Sequence, residues 1–262
     1  MQYFEERDGK LIFRYNGETV QVEAWGQDSL RVRSRVLGEI SEECSALTEE
    51  VAVHDAVISI QGEDSAEITN GRIKAVLYRQ GWGNALQITF YNEKGEVLLR
   101  EIPNGGALCL KARYFRSLAG GSFYLKASFQ SNDKEKLYGM GQYQQERMNL
   151  KGCNLELAHR NSQASVPFYV SSLGYGFLWN NPSVGEVHFG TNTTEWEAWS
   201  TDQLDYWITA GERPGDIEKN YTEVTGKSPM VLASGSVSFV IIMSSRCLIS
   251  QVSIRRETSR SM

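Results

Sequence analysis

Carboxylates, imidazoles and thiols are the groups that could carry chemistry in this chain, and each kind is thinly spread. Asp133 and Glu135 stand two residues apart. Paired acids of this sort can divide general acid and base work between them, but these two fall on what reads as a polar turn. The pattern there predicts a solvated charge cluster. Of the three histidines, His54 and His188 sit in strand-like surroundings with no partner pattern and are expected to be structural. The third, His159, falls in a polar, amide-rich stretch. The cysteines Cys44, Cys109, Cys153 and Cys247 are far apart and show no Cys-x-x-Cys spacing. A zinc site is therefore not expected, and free thiols in a reducing compartment are. No metal, no cofactor and no catalytic residue is assigned from these groups.

Composition narrows the classes further. The chain has 262 residues, 41% apolar and 11% aromatic, enough for a real core and against global disorder. Net charge is −5 with no basic patch, which argues against nucleic acid or an anionic membrane as partner. The start, Met1-Gln2-Tyr3-Phe4-Glu5-Glu6-Arg7, has acids where a secretion signal needs bases. A cytoplasmic location is expected, and the Asn-x-Thr sequons at Asn192 and Asn220 are read as chance matches. The apolar run from Phe239 to Met243 is far too short to span a bilayer.

The elements that must position any site are mostly strands. Leu11 to Tyr15, an Asn16-Gly17 turn and Thr19 to Val22 predict a hairpin. Leu30 to Val36 alternates apolar and basic residues, the pattern of a half-buried strand. Ala56–Ile60, Ala66–Thr69, Arg72–Tyr78 after Asn70-Gly71, Leu86–Tyr91 and Val97–Leu99 follow. Further strands are expected at Pro167–Ser171, Tyr175–Trp179, Val187–Phe189, Thr194–Trp199 and Leu204–Thr209. Between Tyr138 and Ser165 the sequence turns polar and amide-rich, with few β-branched residues, and reads as one long loop. Loops of that length inside a domain are often functional. One helix is signalled near the end. Pro214 suits its first turn, Asp216 its positive pole, and Ile217, Tyr221 and Val224 share a face before Gly226. The fold class is therefore all-β, an antiparallel β-sandwich with one short C-terminal helix.

Three stretches in order carry a resemblance. They are Leu137-Tyr138-Gly139-Met140-Gly141-Gln142, the run Val166 to Asn181 with its Pro167-Phe168 and Gly174-Tyr175-Gly176, and the run Leu204 to Pro229 with Asp205-Tyr206-Trp207, Pro214, Ile217, Tyr221 and Thr225-Gly226. Together they resemble the N-terminal domain of glycoside hydrolase family 31, and the amide-rich version looks more like its α-xylosidase side than its maltase side. The resemblance covers residues 1 to 230 and implies a large, galactose-mutarotase-like sandwich. The aromatics Phe168, Tyr175, Phe177, Trp179 and Trp207 are expected in the core.

The resemblance also implies a role for the Tyr138–Ser165 stretch. In the family the equivalent loop reaches over the catalytic barrel and helps shape the sugar pocket. Its polar candidates here are Gln142, Gln144, Gln145, His159, Arg160 and Asn161, residue types that hold sugars through paired hydrogen bonds. Asn161 stands near a position where family members often carry an aspartate. The family reaction is retaining hydrolysis of an α-glycosidic bond by two carboxylates at the strand ends of a barrel. No stretch of this chain resembles the family's nucleophile segment, and the residues after Pro229 are far too few for a barrel of roughly 250 residues.

This chain is thus expected to be an inactive N-terminal domain, meeting an α-linked oligosaccharide only within a full enzyme. Residues 231–262 read as an aberrant tail in place of the barrel's start. Codons assigned to residues 236 to 262, read from the third base of the Ser236 codon, can spell a string similar to the family's first barrel strand and helix, so a frameshift is expected. The segment Val237 to Met243 is then a sticky, β-prone strand or disordered. An exposed barrel-docking face would favour self-association. Three other readings stay open: a free-standing carbohydrate-binding β-sandwich, an aldose-epimerase-like enzyme, and a structural interaction module.

Overall fold

A computed structural model of the protein describes residues 3–48, 51, 56–80, 85–105 and 110–227. The expected tail at 231–262, its Val237–Met243 segment, His54, Cys109 and Cys247 lie outside the described residues.

The described chain builds three antiparallel sheets and one helix. The largest sheet has eight strands in the order Phe4–Arg7, Lys10–Tyr15, Glu18–Ala24, Ser29–Val36, Leu204–Ala210, Tyr175–Trp179, Ala164–Ser171 and Leu137–Gln142. A five-stranded sheet runs Arg113–Ser117, Phe123–Gln130, Thr193–Thr201, Gly185–Phe189 and Asn154–Leu157. A second one is a meander of Val57–Gln61, Ser65–Asn70, Ile73–Gln80, Ala85–Asn92 and Val97–Arg100. A bridge between Glu101 and Phe129 places the two small sheets side by side.

The core lies between the large sheet and the two small ones, as alternation requires. Tyr206, in the middle of the large sheet, touches Phe90 of the meander and Phe129 of the other small sheet, with ring centroids 6.2 and 5.7 Å away. Phe168, Tyr175, Phe177, Trp179 and Trp207 are all buried, as the sequence predicts. The predicted hairpin forms with Lys10–Tyr15 against Glu18–Ala24. Asn16 and Gly17 both take positive φ, 48° and 79°, the requirement of the tight turn that matches strand twist.

The helix Pro214–Thr225 covers the outer face of the large sheet. Ile217 and Val224 bury there with Phe168, Leu178, Trp207 and Leu47, and Tyr221 stacks on Phe168 at 3.9 Å. At its start Arg213 N donates to Asp216 Oδ2 at 3.1 Å and Asp216 N to the Arg213 carbonyl at 3.0 Å, and Gly226 ends it at φ 99°.

Two expectations need correction. The Leu30–Val36 strand is not half-buried: Arg31 and Arg33 are fully enclosed, because the 41–47 segment folds over the face they occupy. The Tyr138–Ser165 stretch is not one loop. Leu137–Gln142 pairs with Ala164–Ser171, and Asn154–Leu157 pairs with Gly185–Phe189. A four-residue strand with a distant partner leaves little local signal.

The Tyr138-Gly139-Met140-Gly141 motif finds its cause in this pairing. Its register shifts between Gly139 and Gly141, a bulge in which residues 139, 140 and 141 take φ of 124°, 69° and 88°. A β-carbon on Gly141 would stand 2.2 Å from the Ala164 carbonyl oxygen.

Candidate functional site

An open cleft of about 760 Å³ lies where the strands Asn154–Leu157 and Tyr175–Trp179 end. Its lining includes Leu157, His159, Arg160, Trp179, Asn180 and Asn181. Trp179 is 1% exposed and stacks on Trp196 at 5.4 Å. The Nε1–H of Trp179 has no acceptor among the described residues. A buried donor without a partner is costly, and is most often met by water or a ligand. The cleft therefore joins apolar wall to amide, imidazole and guanidinium groups, a mixture suited to a neutral polar ligand.

The His159–Arg160 side of the cleft is a short hairpin. Arg160 and Gln163 exchange both backbone hydrogen bonds at 3.2 Å, and the Gln163 side chain donates to the Ala158 carbonyl at 2.9 Å. Ser165 N donates to His159 Nδ1 at 3.3 Å, which fixes the imidazole with its proton on Nε2 when neutral. The Tyr143 hydroxyl lies 2.8 Å from both the Glu156 carbonyl and Ser165 Oγ, tying the segment to its neighbours. Arg160 grips the Glu156 carboxylate through Nε at 3.0 Å and through Nη2. That hydrogen bond holds the Glu156 carboxyl below the usual range and the Arg160 guanidinium above it.

The opposite wall rests on a buried polar network. Arg31 donates to Asp205 through Nε at 3.1 Å and Nη2 at 2.6 Å, and Nη2 also reaches the Glu43 carbonyl at 2.6 Å. Asn180 Nδ2 donates to Asp205 Oδ2 at 2.8 Å, while its Oδ1 accepts from Ala46 N at 3.0 Å. Asn181 Nδ2 reaches the Asp205 carbonyl at 3.1 Å. Burial pushes the Asp205 carboxyl up, and Arg31 and Asn180 pull it back. The network clamps the 43–46 segment on the sheet and so fixes the Ser45–Ala46 rim of the cleft.

Of the six residues singled out from sequence, the structure brings His159 and Arg160 to this cleft. Gln142, Gln144, Gln145 and Asn161 lie outside its lining, Asn161 at the exposed tip of the hairpin. Trp179, expected in the core and buried there, also lines the cleft, and Asn180 and Asn181 line it although sequence reasoning used these two only as motif letters. The signal was there: two amides directly after a continuous apolar strand are placed at the strand's mouth.

The expected charge cluster also needs correction. Asp133 is exposed, but Glu135 is buried. Its Oε1 accepts from Ser171 Oγ and the Tyr175 hydroxyl, both at 2.6 Å, and its Oε2 from Lys151 Nζ at 3.3 Å. Burial first, then the neighbouring Tyr169 and Glu135, push the Tyr175 phenol well up. Both Glu135 oxygens are committed to anchoring the turn, which removes it from pairing with Asp133.

Comparison with known proteins places this geometry. The model of the glycosyl hydrolase 31 N-terminal galactose mutarotase-like domain matches residues 19–187. A protein of Pseudescherichia vulneris described as an uncharacterized family 31 glucosidase, ORF2, is 40% identical over 86% of this chain and 44% of its own length. Alpha-xylosidase A of Aspergillus niger is 29% identical over 87% of this chain and 33% of its own. The crystal structure of a family 31 alpha-xylosidase from a soil metagenome, complexed with xylose, superposes with a TM-score of 0.81 at 44% identity, over 87% of this chain and 35% of that one. The chain thus spans less than half the length of each of these relatives.

Proposed function

The chain belongs to glycoside hydrolase family 31 as its N-terminal galactose mutarotase-like domain, and from that premise we propose that it serves a retaining α-glycosidase of α-xylosidase type, shaping the sugar pocket without catalysing by itself. The hydrolytic step requires two carboxylates about 5–5.5 Å apart across the glycosidic bond. The buried acids among the described residues are spent otherwise: Asp205 on Arg31, Glu23 on Arg33, Glu101 on Arg113 and Glu135 on its hydroxyl partners. What the domain offers a sugar is the His159–Arg160 hairpin, which lines the cleft together with Asn180 and Asn181.

The observation that carries the reading is this hairpin, pinned by Ser165, Gln163 and Glu156 beside a polar cleft, in a chain 44% identical to an α-xylosidase. A direct test replaces the matching N-terminal part of that α-xylosidase with residues 1–227. The chimera should hydrolyse an aryl α-xyloside, and Arg160→Ala in it should raise KM more than it lowers kcat. The 262-residue chain alone should show no turnover of aryl α-xyloside or α-glucoside. Turnover by the chain alone, or a folded and active chimera indifferent to changes at His159 and Arg160, would overturn the proposal.

A further inference from the structure

Three asparagines of this chain are each followed by glycine: Asn16-Gly17, Asn70-Gly71 and Asn104-Gly105. A glycine carries no β-carbon to screen its backbone nitrogen, so that nitrogen can attack the amide carbon of the asparagine before it. The fold treats the three pairs differently.

Asn70 is 2% exposed, and its Nδ2 donates to the Gly26 and Ser29 carbonyls at 2.8 and 2.7 Å. Asn104 donates through Nδ2 to the Leu86 carbonyl at 2.9 Å and accepts at Oδ1 from Ala112 N at 2.8 Å. Its neighbouring nitrogen is also tied, because Gly105 N donates to the Leu110 carbonyl at 2.8 Å. Asn16 differs from both. It stands exposed at the tip of the hairpin between Lys10–Tyr15 and Glu18–Ala24. Its side chain makes no hydrogen bond among the described residues, and Gly17 N donates to no backbone carbonyl there.

We propose that Asn16 is a site of spontaneous modification through a cyclic imide, and that Asn70 and Asn104 are protected from it. Gly17 N gives its proton to water or hydroxide and forms a bond to Asn16 Cγ. The Cγ–Nδ2 bond breaks, and the side-chain nitrogen leaves as ammonia after taking a proton from solvent. Water then opens the imide at either carbonyl, which yields aspartate or isoaspartate at position 16. Water is the only co-reactant, and nothing is oxidised or reduced.

The isoaspartyl product routes the backbone through the former side chain and lengthens the turn by a methylene. Tyr15 and Glu18 face each other directly across that turn, and the length of a hairpin turn fixes the register beyond it. Glu18 Oε1 accepts from Arg113 Nε and from Ser34 Oγ, both at 2.7 Å, while Arg113 Nη1 holds Glu101 at 2.6 Å. A lengthened turn therefore draws Glu18 away from a buried ion network. The inference concerns this hairpin alone and does not rest on the function proposed above.

The test warms the 262-residue chain at mildly alkaline pH and follows the three asparagines by peptide mass mapping. Methyl labelling with an isoaspartyl carboxyl methyltransferase reports the rearranged product. Asn16 should convert first, with Asn70 and Asn104 slower by about tenfold or more, since each must break two hydrogen bonds before it can react. In urea the three rates should converge. Asn16→Gln, whose longer side chain would have to close a larger ring, should remove the early product. The isoaspartyl fraction, separated by ion exchange, should melt below both fresh protein and Asn16→Asp, which carries the same charge without the longer turn. Conversion of Asn16 in the folded chain no faster than that of Asn70 and Asn104 would overturn the site. An isoaspartyl fraction that melts with Asn16→Asp would overturn its link to the Glu18–Arg113 contact.

Discussion

Arg31 and Asp205 are 174 positions apart in sequence, yet their side chains meet inside the protein through two hydrogen bonds of 3.1 and 2.6 Å, at 0% and 5% exposure. Removing one partner would leave the other charge buried and uncompensated. Asp205→Ala should therefore destabilise the domain by about 3–5 kcal/mol, whereas the double change Arg31→Met with Asp205→Leu should cost much less than the two single changes together. Urea denaturation of the four proteins gives the coupling directly. If Asp205→Ala lost less than about 1 kcal/mol, the pair would not be the clamp described here.

The bulge at Tyr138-Gly139-Met140-Gly141 makes a second forecast. Gly141→Ala places a β-carbon 2.2 Å from a backbone oxygen at φ 88°, and neither neighbour can move as a side chain would. A loss of at least about 2 kcal/mol is expected. Gly152→Ala shares the positive φ but meets nothing within 4 Å, so its cost should be limited to backbone strain of about 1 kcal/mol. Equal melting temperatures for the two variants would rule out the steric account.

The Glu156–Arg160 pair predicts a pH effect of definite sign. Its hydrogen bond holds Glu156 below the ordinary carboxylate range. The ordering it gives the hairpin is therefore present above the unfolded-state value of about 4.3 and is lost as pH falls through the lower folded value. Arg160 is exposed and Glu156 only half-buried, so the effect should be small and weakened by salt. A carboxyl-detected NMR titration should show Glu156 moving up toward an ordinary glutamate in Arg160→Ala. No movement would remove the pair from the hairpin's support.

The two sequons differ in structure. Asn192 is exposed, whereas Asn220 is buried and donates through Nδ2 to Thr209 Oγ1 at 2.8 Å. If the chain is routed through a glycosylating secretory pathway, peptide mass spectrometry should find sugar on Asn192 and none on Asn220. Glycan on Asn220 in folded protein would mean that the helix does not sit as described.

Much of the architecture was legible because turns write themselves locally. Asn16-Gly17 and Asn70-Gly71 announce hairpins, and the strands on either side alternate. The buried Arg31 and Arg33 were not legible. Leu-Arg-Val-Arg reads as a strand with a wet face, and what dries that face is the 41–47 segment together with an aspartate nearly the whole domain away. The site was half legible for the same reason. His159 and Arg160 could be picked from an amide-rich stretch, but the rim opposite them is held by Asn180 reaching Asp205 and Ala46 at once.

The pairing of Ser29–Val36 with Leu204–Ala210 has a consequence for how the chain is made. The Ser29–Val36 strand must wait for Leu204–Ala210 to be made, so the large sheet stays open until synthesis has passed residue 210. Such long-range closure is slow and leaves a half-built sheet edge available to the wrong partner in the interval. A stop codon anywhere before Leu204 would therefore remove a strand from the middle of the sheet, and nascent chains halted on either side of that residue should differ sharply in their resistance to protease.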